Sequence, residues 1–151
     1  MNAVELLKQD HEKVSELFEQ VKATESEKQH RQLYKKIKTE LETHVYIEEK
    51  VFYPALKRRE EFKDTVLEAI EEHRQVKTLI REIDGLADGN ERFEAKLKVM
   101  IDNVEHHVEE EEDELFPKVE AQFTEAELEG LGQELEEAKK EFGRKARAKN
   151  A

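Results

Sequence analysis

Two stretches of the chain place a glutamate four residues after a histidine: His44-Val45-Tyr46-Ile47-Glu48 and His107-Val108-Glu109-Glu110-Glu111. In each, an aromatic residue and a proline follow, Tyr53-Pro54 and Phe116-Pro117. On a helix the two polar side chains of each pair stand one turn apart on the same face. Two more histidines, His11 and His73, occupy the third position of otherwise apolar stripes. One stripe reads Val4, Leu7, His11, Val14, Phe18, Val21, and the other Val66, Ala69, His73, Val76, Ile80, Ile83. Buried carboxylates without a counter-charge are very costly, and neutral imidazoles do not supply one. Divalent cations do. Imidazole nitrogen and carboxylate oxygen, with no cysteine in the chain, suit Fe, with Mn or Zn possible. The six expected ligands are His11, His44, Glu48, His73, His107 and Glu111.

The spacing repeats along the whole chain. The first stripe maps onto the second at an offset of 62, as from His11 to His73. His30, Tyr34, Ile37, Leu41, His44 and Glu48 map onto Phe93, Leu97, Met100, Val104, His107 and Glu111 at an offset of 63, as from His44 to His107. Two helical hairpins related by a pseudo-twofold axis account for this, packed as an antiparallel up-down four-helix bundle. The symmetry favours two ions, each with two histidines, bridged by both glutamates and completed by a solvent-derived oxo or hydroxo bridge. An open position on such a centre would take O2, nitric oxide or peroxide.

The elements needed to position these residues are legible from caps and periodicity. Asn2 is a candidate N-cap for a first helix over about 3–23, and Ser26 to Gln29 can form a capping box for the second. Pro54 predicts a kink or a helix end near it, with the connection at Arg58-Arg59-Glu60-Glu61. A third helix is expected over about 62–86. The turn signals Asp84-Gly85 and Asp88-Gly89-Asn90 precede the fourth. Phe123-Thr124-Glu125-Ala126-Glu127-Leu128 reads as a capping box with a staple, opening a fifth helix over about 125–142 that Gly143 ends. The expected organisation is therefore all-α: a bundle over 1–122, an additional C-terminal helix over 123–143, and a basic flexible tail over 144–151.

Composition narrows the function. The net charge of −12 argues against a nucleic-acid backbone as partner. No apolar run approaches the ~18 residues that span a membrane, and the N-terminus lacks signal-peptide features. A soluble cytoplasmic protein, monomeric or weakly homo-oligomeric, is expected. Glu49 and Glu112 are copies of each other and candidate acceptors for a ligand histidine. His30 and His106 are expected outside the site. Phe52, Tyr53 and Phe116 are expected to close the bundle end, leaving no acid, base or nucleophile beyond the ligands.

The order His, His-x-x-x-Glu, His, His-x-x-x-Glu, with Phe-Tyr-Pro and Leu-Phe-Pro after the carboxylates, resembles the hemerythrin-like family. It is most similar to the cation-binding branch named for its His-His-Glu pattern, over about residues 3–120. The resemblance implies a four-helix bundle with a non-haem di-iron centre and reversible O2 binding, or sensing and handling of iron, oxygen or nitric oxide. Oxygen-carrying hemerythrins have a further histidine where this chain has Lys77. Their last carboxylate lies five residues after the last histidine rather than four. These departures shift the expectation from oxygen carriage towards sensing, iron storage or a peroxide- or nitric-oxide-consuming enzyme. A metal-free interaction module using the fifth helix is the remaining alternative.

Overall fold

The computed structural model describes residues 1–150. Helix α1 (Ala3–Lys22) starts at Asn2, whose side chain accepts from the Glu5 amide while the Glu5 carboxylate accepts from the Asn2 amide. Helix α2 (Glu27–Ile47) starts at Ser26, whose Oγ accepts from the Gln29 amide at 3.2 Å, one half of the expected box. Helix α4 (Lys63–Asp84) and helix α5 (Phe93–Glu110) form the second hairpin. Among the described residues the backbone is helical or turn, with no strand. The result is an all-α helical bundle with one extra helix.

The expected break near Pro54 takes a specific form. A five-residue π turn (Glu48–Phe52) leads into the short helix α3 (Tyr53–Lys57). The second hairpin repeats this with a π turn (Glu111–Leu115) and helix α6 (Phe116–Gln122). Pro54 has no N–H to give the Lys50 carbonyl and its ring crowds that group. The chain answers by widening one turn, so that the Tyr53 amide bonds to the Glu48 carbonyl, five residues back. The extra residue advances the inward face by one position, and Phe52, Tyr53 and Leu56 are all buried.

The core is split in two. One apolar cluster holds Leu7, Ile47, Phe52, Ala69, Leu115 and Phe116, and the other Val14, Leu41, Ile80, Leu97 and Val104. Each stripe histidine sits between a residue of one cluster and a residue of the other: His11 between Leu7 and Val14, His44 between Leu41 and Ile47. The polar layer therefore crosses the middle of the bundle with hydrocarbon above and below it. His30 lies away from it, buried against the carbonyls of Val21 and Thr24 and bonded to Glu94 at 2.7 Å.

Helix α7 (Glu125–Asn150) lies across α1, α2 and the first π turn. Its Leu128, Leu131, Leu135 and Ala138 complete the lower core. Thr124 and Glu127 form the reciprocal capping box at its start, and Phe123 and Leu128 share one apolar cluster. The expected stop at Gly143 is not observed: the helix continues to Asn150. Gly143 does not take the left-handed conformation that terminates helices; among the described residues only Gly89 has positive φ. The Glu141–Lys145 pair at 3.0 Å bridges the glycine.

Two glycines of α7 give a test of how firmly it is seated. A Cβ on Gly132 would collide with the Met1 carbonyl, whereas one on Gly130 meets nothing within 4 Å. Gly130→Ala is expected to stabilise the protein by roughly 0.5–1 kcal/mol, the ordinary gain from alanine in a helix. Gly132→Ala is expected to destabilise it by about 1–3 kcal/mol, as overpacking does. Urea unfolding of both variants checks this, and equal effects would mean that α7 is not pinned to the N-terminus.

Candidate metal centre

The structure brings all six sequence-derived residues into the layer between the two cores. His11 comes from α1, His44 from the last turn of α2, His73 from α4 and His107 from the last turn of α5. Glu48 and Glu111 each open a π turn. All six are buried. Their donor atoms form two groups, His11, His44, Glu48 and Glu111 in one, and Glu48, His73 and His107 in the other. Glu48 belongs to both: its Oε1 lies 3.2 Å from His44 Nε2 and 3.1 Å from His73 Nε2. Glu111 also reaches both sides, with Oε1 3.2 Å from His11 Nε2 and Oε2 3.5 Å from His107 Nε2.

Each imidazole is oriented by a carboxylate on its outer nitrogen. His11 Nδ1 is 2.6 Å from Glu112, His44 Nδ1 3.0 Å from Asp10, His73 Nδ1 2.8 Å from Glu49 and His107 Nδ1 2.6 Å from Glu72. These bonds place the proton on Nδ1 and turn the Nε2 lone pair inward. Inside, His11 Nε2, His44 Nε2, Glu48 Oε2 and Glu111 Oε1 are buried with no hydrogen-bond partner. Buried polar atoms are almost always satisfied, so four converging orphans on N and O donors fit a group of cations. Burial lowers the His44 imidazole, but Glu48 and Asp10 outweigh it and push it up to about 10. At His107 burial is again outweighed, by Glu111 and Glu72, which push it up to about 11. Burial raises the Glu111 carboxyl, yet His107 and His11 hold it well below its ordinary range.

Three residues here do not follow from the stripes. Tyr53 is a correction to the expectation that the aromatics only close the bundle and that no proton donor accompanies the ligands. Its hydroxyl donates to Glu111 Oε2 at 2.6 Å and lies 3.2 Å from Glu48 Oε1, 3.3 Å from His73 Nε2 and 3.4 Å from His107 Nε2. Burial, then the charges of Glu111 and Glu48, raise the phenol well above its usual value, so it keeps its proton. In a regular α-helix Phe52 would share the Glu48 face; the π turn hands that place to Tyr53. Asp10 and Glu72 are the other two. Each immediately precedes a stripe histidine and they are related by the 62-residue offset, a signal present in the sequence. Of the flanking residues expected at the site, Glu49 and Glu112 bond His73 and His11. His106 is paired with Glu110 on the outside. Lys77 points outward and donates to Glu49 Oε1 at 2.9 Å.

Fold and layer together define a helical bundle built around a buried cation site. Residues 2–119 match the family model described as the hemerythrin HHE cation binding domain, and the chain belongs to that family. It is similar to the crystal structure of a hemerythrin HHE cation binding domain-containing protein from Mycobacterium kansasii. That likeness has 28% identity and a TM-score of 0.82 over 99% of this chain and 91% of the other. It is also 26% identical, over 92% of its length, to a DNA nickase from Nostoc sp. (strain PCC 7120 / SAG 25.82 / UTEX 2576), of which it spans 39%. No helix among the described residues is long and apolar enough to cross a membrane.

Proposed function

We propose that the chain holds two iron ions, one between His11 and His44 and one between His73 and His107, with Glu48 and Glu111 bridging them. We further propose that it uses this centre to bind or sense O2, nitric oxide or peroxide. The observation that carries this reading is the shared position of Glu48, within 3.2 Å of an inner nitrogen on each side. Iron in this setting supplies redox chemistry and an open position for a small ligand. The protein supplies four oriented imidazoles, two charges to hold the cations, and hydrocarbon walls that keep bulk water out. The hydroxyl of Tyr53 adds a buried proton donor beside the His73/His107 position, which favours a second reading in which peroxide is consumed rather than merely bound. Stoichiometric, reversible spectral change marks binding, and repeated turnover marks consumption. The net charge of −12 supports a small ligand over a nucleic acid.

Metal content and melting temperature test the proposal. Iron loading should give two ions per chain. Binding at a thousandfold excess over Kd stabilises a protein by about 4 kcal/mol, so Tm should rise by roughly 8–16 °C for a domain of this size, and a chelator should reverse the rise. Fewer than one iron per chain, with no change in Tm, would overturn it.

A further inference from the structure

The four carboxylates that orient the imidazoles are not alike. The pseudo-twofold axis pairs Asp10 with Glu72, yet the Asp10 side chain is 4% exposed and that of Glu72 is 23% exposed. The difference comes from α7, which covers α1 and α2. From α7, Lys139 Nζ donates to Asp10 Oδ1, while Asp10 Oδ2 takes the bond to His44 Nδ1. Both oxygens of this buried carboxylate are thus used, and its charge is matched. A buried carboxylate deprived of its cationic partner is strongly disfavoured, so the ion pair with Lys139 holds the Asp10 side chain in the orientation that meets His44. On the opposite face Glu72 edges a cleft of about 90 Å³ that reaches His107 and Glu111, with Glu68, Glu110 and Glu114 around it. One half of the centre is strapped by the C-terminal helix, and the other opens towards solvent.

We infer that Lys139 is a positioning residue: acting through Asp10 it fixes His44, and it makes the His11/His44 position the tighter of two unequal metal positions. This rests on the two-ion reading above. Lys77 makes a comparable link through Glu49 to His73, but Lys77 is 48% and Glu49 27% exposed, so water screens the pair. It serves as an internal control.

Titration of metal-free protein with Co(II), followed by its visible bands and by calorimetry, separates the two positions. The unmutated chain should take up two equivalents with distinct affinities. In Lys139→Met the tighter equivalent should weaken about tenfold, the low end of what losing an outer partner of a ligand histidine costs, and the other should stay unchanged. Lys139→Arg should restore it, and Lys77→Met should change either affinity by less than about threefold, as a screened surface pair does. Asp10→Asn keeps an acceptor for His44 and should itself weaken the same equivalent. The double variant Lys139→Met/Asp10→Asn should then be no weaker than Asp10→Asn alone, because the lysine acts through that carboxylate. Unchanged binding in Lys139→Met, equal loss at both positions, or additive losses in the double variant would overturn the inference. Fewer than two equivalents in the unmutated chain would overturn the two-ion reading itself, and the inference with it. If Lys139→Met does not fold, Lys139→Gln, which also removes the charge but keeps a polar side chain, decides by the same site-selective loss.

Discussion

Glu48→Gln is expected to remove both metal ions, whereas His11→Ala weakens chiefly one. The asymmetry follows from geometry. Glu48 Oε1 stands 3.2 Å from His44 Nε2 and 3.1 Å from His73 Nε2, and its Oε2 has no partner within the protein. One carboxylate therefore faces both halves, while each histidine faces one. An amide has the same shape but neither the charge nor a second oxygen, so under the two-ion proposal each ion would lose a ligand and half of the negative charge that the two glutamates provide. Loss of an outer partner of a ligand histidine already costs about 10–100-fold in affinity, and loss of a shared ligand should exceed that at both positions. Metal analysis after loading and desalting reads the result: near zero per chain for Glu48→Gln, against about one for His11→Ala. The metal-free Glu48→Gln variant should remain helical, because substitution removes a buried charge rather than a packing group. A Glu48→Gln protein that keeps one ion at undiminished affinity would sink the bridging assignment.

The sequence was informative about this site to the extent that α-helical periodicity held. His11, His44, His73 and His107 lie on regular helices, so steps of three and four residues put them on the inward faces, and the repeat pairs them. Glu48 and Glu111 sit one turn further on, at the first residue of each π turn, where the count still works. Tyr53 lies just beyond, where a turn has gained a residue, and regular helical spacing from Glu48 would put Phe52 in its place. Asp10 and Glu72 were hidden for another reason. They are off the stripe of their own helix and serve a histidine on its neighbour, so periodicity within one helix says nothing about them. The continuation of α7 past Gly143 has the same character. The residue alone reads as a stop, but pairing of Glu141 with Lys145, and of Tyr46 and Lys50 with Glu141, holds that part of the helix. Its polar link to the histidine layer is the pair of Lys139 with Asp10, residues 129 apart in sequence.

Tyr53→Phe is expected to leave both ions in place and to change what they bind. The pseudo-symmetric partner of Tyr53 is Phe116, which stacks on His11 at 5.8 Å between ring centres. A phenyl ring therefore fits this register, and the substitution isolates the hydroxyl. That hydroxyl is the donor to Glu111 Oε2, a buried carboxylate oxygen. Hydrogen bonds to charged groups contribute about 1.5–3 kcal/mol, so the metal-free variant should melt roughly 3–12 °C lower, taking about 2–4 °C per kcal/mol. The same group lies within 3.4 Å of both His73 Nε2 and His107 Nε2, where it could donate to a small anion entering on that side of the iron-loaded protein. Azide affinity should fall by about 10–100-fold, the same free energy at about 1.4 kcal/mol per decade, while iron content stays at two per chain. If peroxide is consumed, its turnover should fall with azide affinity, because both draw on one proton donor. An unaltered azide constant together with a lowered melting point would confine Tyr53 to holding Glu111 in place. Unaltered values of both would mean that the hydroxyl contributes nothing that Phe116 does not already provide on the other side.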